Sequence, residues 1–350
     1  MPNKKVLVIG GATLDTIIQY EDMETLIHQR HDQIQSYLLL EEGKKIEVSA
    51  QQTASGGGAT NAAVSFKRQG FDVNLFCKLG KDVAGERILR ELQSYDLDLS
   101  NIRFDEKEGT ATSFVVPSLK GDRTVFAYRG ANAHLLDDDL PLDPIKKADF
   151  LYITSLSKSS ASHLPAIVAK AQKDEVKVAV NPGVSQMNKG GSALQESLHG
   201  IDILILNQEE AQALMISVLQ GEGLLEGSFA MGYFNLKEFF KKILSLGPKI
   251  VVVTNGGDGV HVATAEKLYF HKAPKIKIVN TLGAGDAFGS GFTGAYYQTR
   301  DIAHAIRAGI ANSASVIQYP DAKEGLLSQQ ELQKKLADLQ LDALSVSNWD

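Results

Sequence analysis

The run Asn280-Thr281-Leu282-Gly283-Ala284-Gly285-Asp286-Ala287-Phe288 sets a glycine-bearing turn ahead of an apolar helix and delivers one carboxylate to its start. Such a turn can aim several backbone N–H groups at an anion, and a helix N-terminus adds about half an elementary charge of positive potential. A carboxylate in that place repels phosphate, so its presence argues for a task such as taking the proton of an attacking hydroxyl. Anion cradle and base together suggest phosphoryl transfer to an alcohol. The competing account is that Asp286 merely caps the helix. Against it, the following segment carries Gly289, Gly291 and Gly294, poor helix material unless backbone must approach a ligand or a sheet closely.

Four earlier constellations carry chemistry of their own. Gly10-Gly11-Ala12-Thr13-Leu14-Asp15 follows an apolar run and places Asp15 where a carboxylate could accept hydrogen bonds from a polyol, or simply hold a turn. Gly56-Gly57-Gly58-Ala59-Thr60-Asn61 removes Cβ atoms from the path of a ligand, and Asn61 offers both a donor and an acceptor to vicinal hydroxyls. Tight helix–sheet packing is the plainer explanation of those glycines. Asn207 and Glu210 are three apart and share a helix face, so they could order a hydrated Mg²⁺ or form a capping box. Thr254-Asn255-Gly256-Gly257-Asp258-Gly259 suits either a nucleotide-contacting loop or an Asp-Gly hairpin turn.

The elements that must position these residues are legible as short buried runs. Lys5–Ile9, Val73–Phe76, Phe150–Thr154, Val176–Val180, Ile201–Leu206 and Ile250–Thr254 are rich in Val, Ile and Leu, with helix-like segments between most of them. That alternation predicts an α/β fold with a mostly parallel sheet. Ligands in such folds bind beyond the carboxyl ends of the strands, where most of these motifs fall. Two stretches break the pattern. Thr16 to Ala54 holds a polar segment and then extended pieces at Tyr37–Leu40 and Lys45–Val48. Thr110 to Tyr128 reads as extended pieces around Lys120-Gly121-Asp122. They predict a small β-sheet beside the main domain or a plain surface hairpin. Arg123 and Arg129 there read as solvated arginines of a lid strand, with a phosphate on the acceptor as the sharper alternative. Ser217 to Gly232 reads as an insertion or loop, Ser328 to Leu341 as helical, and the tail to Asp350 as poorly ordered.

Composition excludes several classes. A net charge of −6 over 350 residues argues against a nucleic-acid-binding surface. One cysteine, Cys77, rules out an internal disulfide and a Cys-based zinc site. The Val6–Ile9 run is too short for a signal peptide and no segment reaches membrane-spanning length, so a cytoplasmic protein is expected.

The Gly56–Asn61 and Gly283–Asp286 blocks, in that order, resemble the two signatures of the ribokinase-like (PfkB) family of carbohydrate and nucleoside kinases, and the likeness covers nearly the whole chain. It implies a three-layer α/β/α fold with a β-sheet lid, residues 1–350 forming one kinase domain and residues 13–54 and 110–129 the lid. By that likeness Asp286 is the general base, and the N–H groups of Gly283, Ala284 and Gly285 form an anion hole. Asp15, Gly57, Gly58 and Asn61 bind the sugar. Asn207 and Glu210 organise Mg²⁺, through water, and phosphate, while Thr254, Gly256, Gly259 and Asn312 lie along ATP. Asn280 stands where the family often has Asp, at a place associated with a monovalent cation such as K⁺; it keeps an oxygen and loses the charge. Gly58 stands where some ribose and sugar-phosphate kinases have Lys, and Thr13 where many members have Asn.

The function expected is therefore ATP-dependent phosphorylation of a sugar or nucleoside hydroxyl, with a homodimer through the lid as the assembly considered. A catalytically inactive binding or regulatory protein on the same fold is the alternative, supported only by Asn280. A dinucleotide-dependent oxidoreductase is disfavoured because Gly-x-Gly-x-x-Gly is missing.

Overall fold

The structure is a computed structural model and describes residues 3–20, 24–30, 33–117, 123–187, 191–223, 234–338 and 344–349. In chain order the first strands are β1 (Lys5–Ile9), β2 (Thr13–Gln19), β3 (Glu24–Arg30), β4 (Gln33–Leu39) and β5 (Ala50–Gly56). Helix α1 (Gly58–Arg68) leads to β6 (Asp72–Phe76) and β7 (Lys78–Gly80), and α2 (Val83–Gln93) to β8 (Arg103–Asp105), β9 (Thr112–Pro117) and β10 (Arg123–Tyr128). The middle of the chain holds α3 (Leu142–Ile145), β11 (Phe150–Ile153), α4 (Leu164–Lys173), β12 (Lys177–Val180), α5 (Val184–Met187) and α6 (Gly191–Ser197). Then come β13 (Ile203–Asn207), α7 (Gln208–Gly221), α8 (Leu236–Ser245), β14 (Ile250–Thr254), β15 (Val260–Thr264) and β16 (Lys267–His271). The last elements are α9 (Ala284–Thr299), α10 (Ile302–Val316), α11 (Gln329–Asp338) and β17 (Leu344–Asn348).

Nine strands form the main sheet in the order β17-β16-β15-β14-β13-β12-β11-β1-β6. From β6 to β14 neighbours run parallel, and β14 to β17 pair antiparallel. Side chains alternate across a strand, and both faces here are apolar. Val6 and Val8 enter one core with Phe66, Phe288 and Phe292, while Leu7 and Ile9 enter another with Leu164, Leu214 and Phe239. Helices α1, α9 and α10 cover the first face; α4, α7 and α8 cover the second. This is a three-layer α/β/α fold, and burial on both faces explains why its strands read as continuous apolar runs.

A second sheet, ordered β10-β9-β2-β5, draws its strands from residues 13–19, 50–56, 112–117 and 123–128. Strands β3 and β4 form a separate antiparallel ribbon. Three expectations are corrected here. Lys45–Val48 is irregular, and the strand lies instead at Ala50–Gly56, where it can pair with β2. Ser217–Gly221 completes α7 rather than opening a loop, while residues 224–232 lie outside the described residues. Leu344–Asn348 is an ordered edge strand on β16, fastened by Trp349 Nε1, which donates to the Thr264 carbonyl at 2.9 Å. The Lys120-Gly121-Asp122 turn also lies outside the described residues. No helix among the described residues is long and apolar enough to cross a membrane.

Candidate active site

The carboxyl ends of β1, β11, β13 and β14 point to one edge of the main sheet, and that parallel register brings the motifs together. After β5, Gly57 adopts φ +93°, and a Cβ there would stand 2.5 Å from the Gly11 carbonyl oxygen. Only glycine lets the two early loops touch. The same close packing brings Gly56 onto Asp15, whose Oδ2 lies 1.8 Å from where a Cβ would be.

Asp15 sits on β2 beside its sheet partner Ser113, whose hydroxyl donates to Asp15 Oδ1 at 2.6 Å. Burial raises its pKa, opposed by the Ser113 bond and by the charges of Lys323 and Arg129. Asn61, in the first turn of α1, donates from Nδ2 to Asp286 Oδ2 at 2.8 Å. Its Oδ1 is buried and has no partner among the described residues, an acceptor prepared for a hydroxyl donor. Gly58 leaves room at Asp286: a Cβ there would lie 3.2 Å from Asp286 Oδ1.

The late turn is built from backbone. Gly283 is the N-cap of α9 in the left-handed conformation, φ +74°, with no side chain capping the helix. A Cβ at Gly283 would stand 2.4 Å from the Ala322 Cβ, so the turn is backed tightly by the loop after α10. Thr281 accepts from Ala284 N at 3.3 Å, while the N–H groups of Gly283 and Gly285 make no hydrogen bond among the described residues. Uncapped donors at a helix start can receive an anion. Asp286 does not cap the helix; its carboxylate turns toward Asn61. Its pKa is raised by burial, and the Asn61 bond and the charges of Lys323 and Arg123 pull the other way.

Two cavities flank this turn. One, of about 300 Å³, is lined by Asp15, Gly57, Asn61, Ser113, Arg123, Arg129 and Asp286 under one face of the second sheet. The other, of about 480 Å³, runs past Thr254, Gly256 and Gly259 between apolar walls that include Val260, Ile278, Phe288 and Ile317. Thr281, Ala284 and Gly285 line both.

Several site residues stand apart from their expected places. Asn312 is 1% exposed and serves packing: it donates to Ser65 Oγ at 3.0 Å and to the Ala287 carbonyl at 2.8 Å, and accepts from Leu327 N at 2.9 Å. Its neighbour Ser313 lines the second cavity instead. Asn207 and Glu210 form the reciprocal capping box, with Asn207 Oδ1 accepting from Glu210 N at 2.8 Å and Glu210 Oε2 from Asn207 N at 2.9 Å. Burial pushes Glu210 up to about 6, with smaller contributions from Glu209 and Asp286. Asn280 spends both side-chain atoms on backbone: Oδ1 accepts from Leu282 N at 2.9 Å and Nδ2 donates to the Pro320 carbonyl at 2.7 Å. Arg123 is not simply solvated, since Nη1 donates to Thr281 Oγ1 at the junction of the cavities. Lys323, absent from the sequence reading, is 4% exposed and acts electrostatically on both Asp15 and Asp286.

Comparison with known proteins agrees with this geometry. Residues 25–329 match the model of the pfkB family carbohydrate kinases. A ribokinase of Staphylococcus aureus is 26% identical over 328 residues, covering 92% of this chain and 96% of that protein. An ATP-dependent ribose-1-phosphate kinase of Halopiger xanaduensis is 28% identical over 259 residues, or 74% of this chain and 79% of its own. The structure of Arabidopsis thaliana ribokinase complexed with ribose and ATP shares the fold, with a TM-score of 0.75 at 22% identity over 96% of this chain and 99% of that one. A family match across most of the chain, carried on a shared three-layer fold, leads to one conclusion: the chain belongs to the pfkB family of carbohydrate kinases.

Proposed function

We propose that this carbohydrate kinase transfers the γ-phosphoryl group of ATP to a hydroxyl of a sugar or nucleoside, with Asp286 as general base. The observation that carries the reading is the meeting of two cavities at Thr281, Ala284 and Gly285, with Asp286 on the wall of one and apolar side chains on the walls of the other. The apolar cavity suits a nucleobase and the polar one a polyol. A phosphoryl group passing between them crosses the uncapped start of α9.

In this scheme the acceptor lies against Asp15 and Asn61, its hydroxyls donating hydrogen bonds to Asp15 and to the unpaired Asn61 Oδ1. One hydroxyl faces Asp286, which removes its proton as the oxygen attacks the γ-phosphorus; the bond to the β–γ bridging oxygen breaks and ADP leaves. The N–H groups of Gly283 and Gly285 and the Arg123 guanidinium meet the charge on the transferred group. Positioning and electrostatics are what phosphoryl transfer chiefly needs. The second sheet, with Ser113, Arg123 and Arg129 on the cavity side, acts as a lid that excludes water.

Among the described residues no cluster of three or more acidic, His or Cys side chains could hold a metal alone. A phosphate-borne, hydrated Mg²⁺ fits better. Glu210, whose pKa burial raises, would hold it through water beside Asn207, and the ion would screen phosphate charge. Asn280 fits a monovalent cation poorly, because its amide hydrogen already occupies the Pro320 carbonyl. Phe114 and Phe126, cross-strand partners each 54% exposed, suit a second copy of the chain against the lid; sedimentation velocity over a concentration series tests that assembly.

The deciding experiment assays ATP consumption over a panel of sugars and nucleosides, with the product identified by mass. ADP formation that depends on one acceptor supports the reading. No acceptor-dependent ADP from any panel member rejects it.

A further inference from the structure

We propose that Lys323 is a positioning residue of this transfer: its buried ammonium keeps Asp15 and Asp286 charged and ties the root of the lid to the phosphate-facing turn. The inference rests on the kinase reading and goes one residue beyond it.

The geometry comes from four parts of the chain. Lys323 lies between α10 and α11 and is 4% exposed. Its Nζ donates to the Ser55 carbonyl and, at 2.7 Å, to Ser55 Oγ, at the end of lid strand β5. Glu91 of α2 lies 3.6 Å away and accepts from Ser55 Oγ at 2.6 Å and Ser55 N at 2.9 Å. Ser55 precedes Gly56, on which Asp15 rests, and Ala322 precedes Lys323 and backs Gly283. One side chain thus joins the polyol wall to the phosphate turn.

A structural lysine would need only Glu91 and Ser55. The charge reaches further. Lys323 acts on Asp286 together with Asn61 and Arg123, and on Asp15 together with Ser113 and Arg129. Asp286 is also felt by Asp15, Tyr152 and Glu210, while burial lowers the pKa of Lys323 itself and the carboxylates of Glu91, Asp15 and Asp321 oppose that and favour its charge. Removing Lys323 and Glu91 together takes a cation from the site without leaving the partly buried Glu91 carboxylate unpaired.

The test compares Lys323→Gln and the double variant Lys323→Gln/Glu91→Gln with the parent. The double variant is expected to melt within a few degrees of the parent while the acidic limb of its kcat/KM profile moves upward. At pH 5.5 it loses about tenfold more activity, relative to its own value at pH 8, than the parent does. Carboxyl ¹³C titration of Asp286 in the two proteins without nucleotide gives the same comparison apart from turnover. An unmoved limb and an unmoved Asp286 midpoint in the folded double variant overturn the inference, leaving Lys323 structural. Absence of turnover in the parent, with the midpoint still displaced, would count against the kinase reading alone. If the double variant fails to fold, the single variant's Asp286 midpoint decides.

Discussion

Asp286 accepts a 2.8 Å hydrogen bond from Asn61, a residue 225 positions earlier in the chain. Each sits in the first turn of its own helix, α9 and α1, and those helices lie side by side on one face of the main sheet. The bond therefore aims the carboxylate away from its own helix terminus and toward the cavity it shares with Asp15 and Asn61.

Replacing Asp286 with Asn keeps an oxygen for Asn61 and removes the proposed base. Turnover should fall by about two orders of magnitude or more, while acceptor and nucleotide affinities stay within a few-fold. Steady-state kinetics beside calorimetric binding will check this; undiminished kcat would remove Asp286 from its role.

One pH dependence follows from the raised carboxyl group of Glu210. For Glu210 the folded state holds a proton between its ordinary 4.5 and about 6, where the unfolded chain has released it. Stability from this group thus falls as pH rises through that window, and it is greatest below it. Magnesium use runs the opposite way, because only the ionised group attracts a cation. The apparent affinity for the magnesium–nucleotide complex should weaken below about pH 6, and Glu210→Gln should flatten both dependences. Urea titrations and magnesium saturation curves across pH 4.5 to 7 read the two signs; parallel curves in parent and variant would contradict them.

Asn280 predicts indifference to potassium. Exchanging K⁺ for a bulky organic cation should change the rate by less than about twofold, since no carboxylate waits for an ion there. Asn280→Asp would set a charged oxygen against the Pro320 carbonyl and should create a requirement for a small monovalent cation. A parent enzyme strongly activated by potassium would refute this account of Asn280.

At Gly283 both conformation and space are restrictive. Gly283→Ala should cost about 1–3 kcal/mol from the left-handed backbone alone, with further loss from displacing Ala322. Activity should fall more than stability explains, because the phosphate-facing amides move with the turn. Chemical denaturation and kinetics on the same preparation separate the two.

The parallel strands were readable because burial on both faces leaves little room for anything but Val, Ile and Leu. Gly283 to Asp286 was readable because its glycines are hard to justify in a plain helix. Spacing alone was ambiguous at Asn207 and Glu210: one face of one turn serves a capping box and a metal equally well, and the capping box that forms is compatible with an ion held through water. At Asn312 a single residue's rotation decided the matter, putting Ser313 on the cavity and Asn312 inside. Lys323 gave no local signal. Its burial depends on Ser55, 268 residues away, and on Glu91 of α2. The tail was misjudged because Leu344–Asn348 becomes a strand only once β16 is there to receive it.

The backing of the phosphate turn by Ala322 sets an order of events during synthesis. A nascent chain can assemble the pocket-forming loops of its first third while the ribosome is still far from that alanine. The Gly283 turn gains its backing only once Ala322 has emerged. Ribosome-held chains ending near residue 300 should accordingly leave that turn open to proteolysis, whereas longer chains that include Ala322 should protect it.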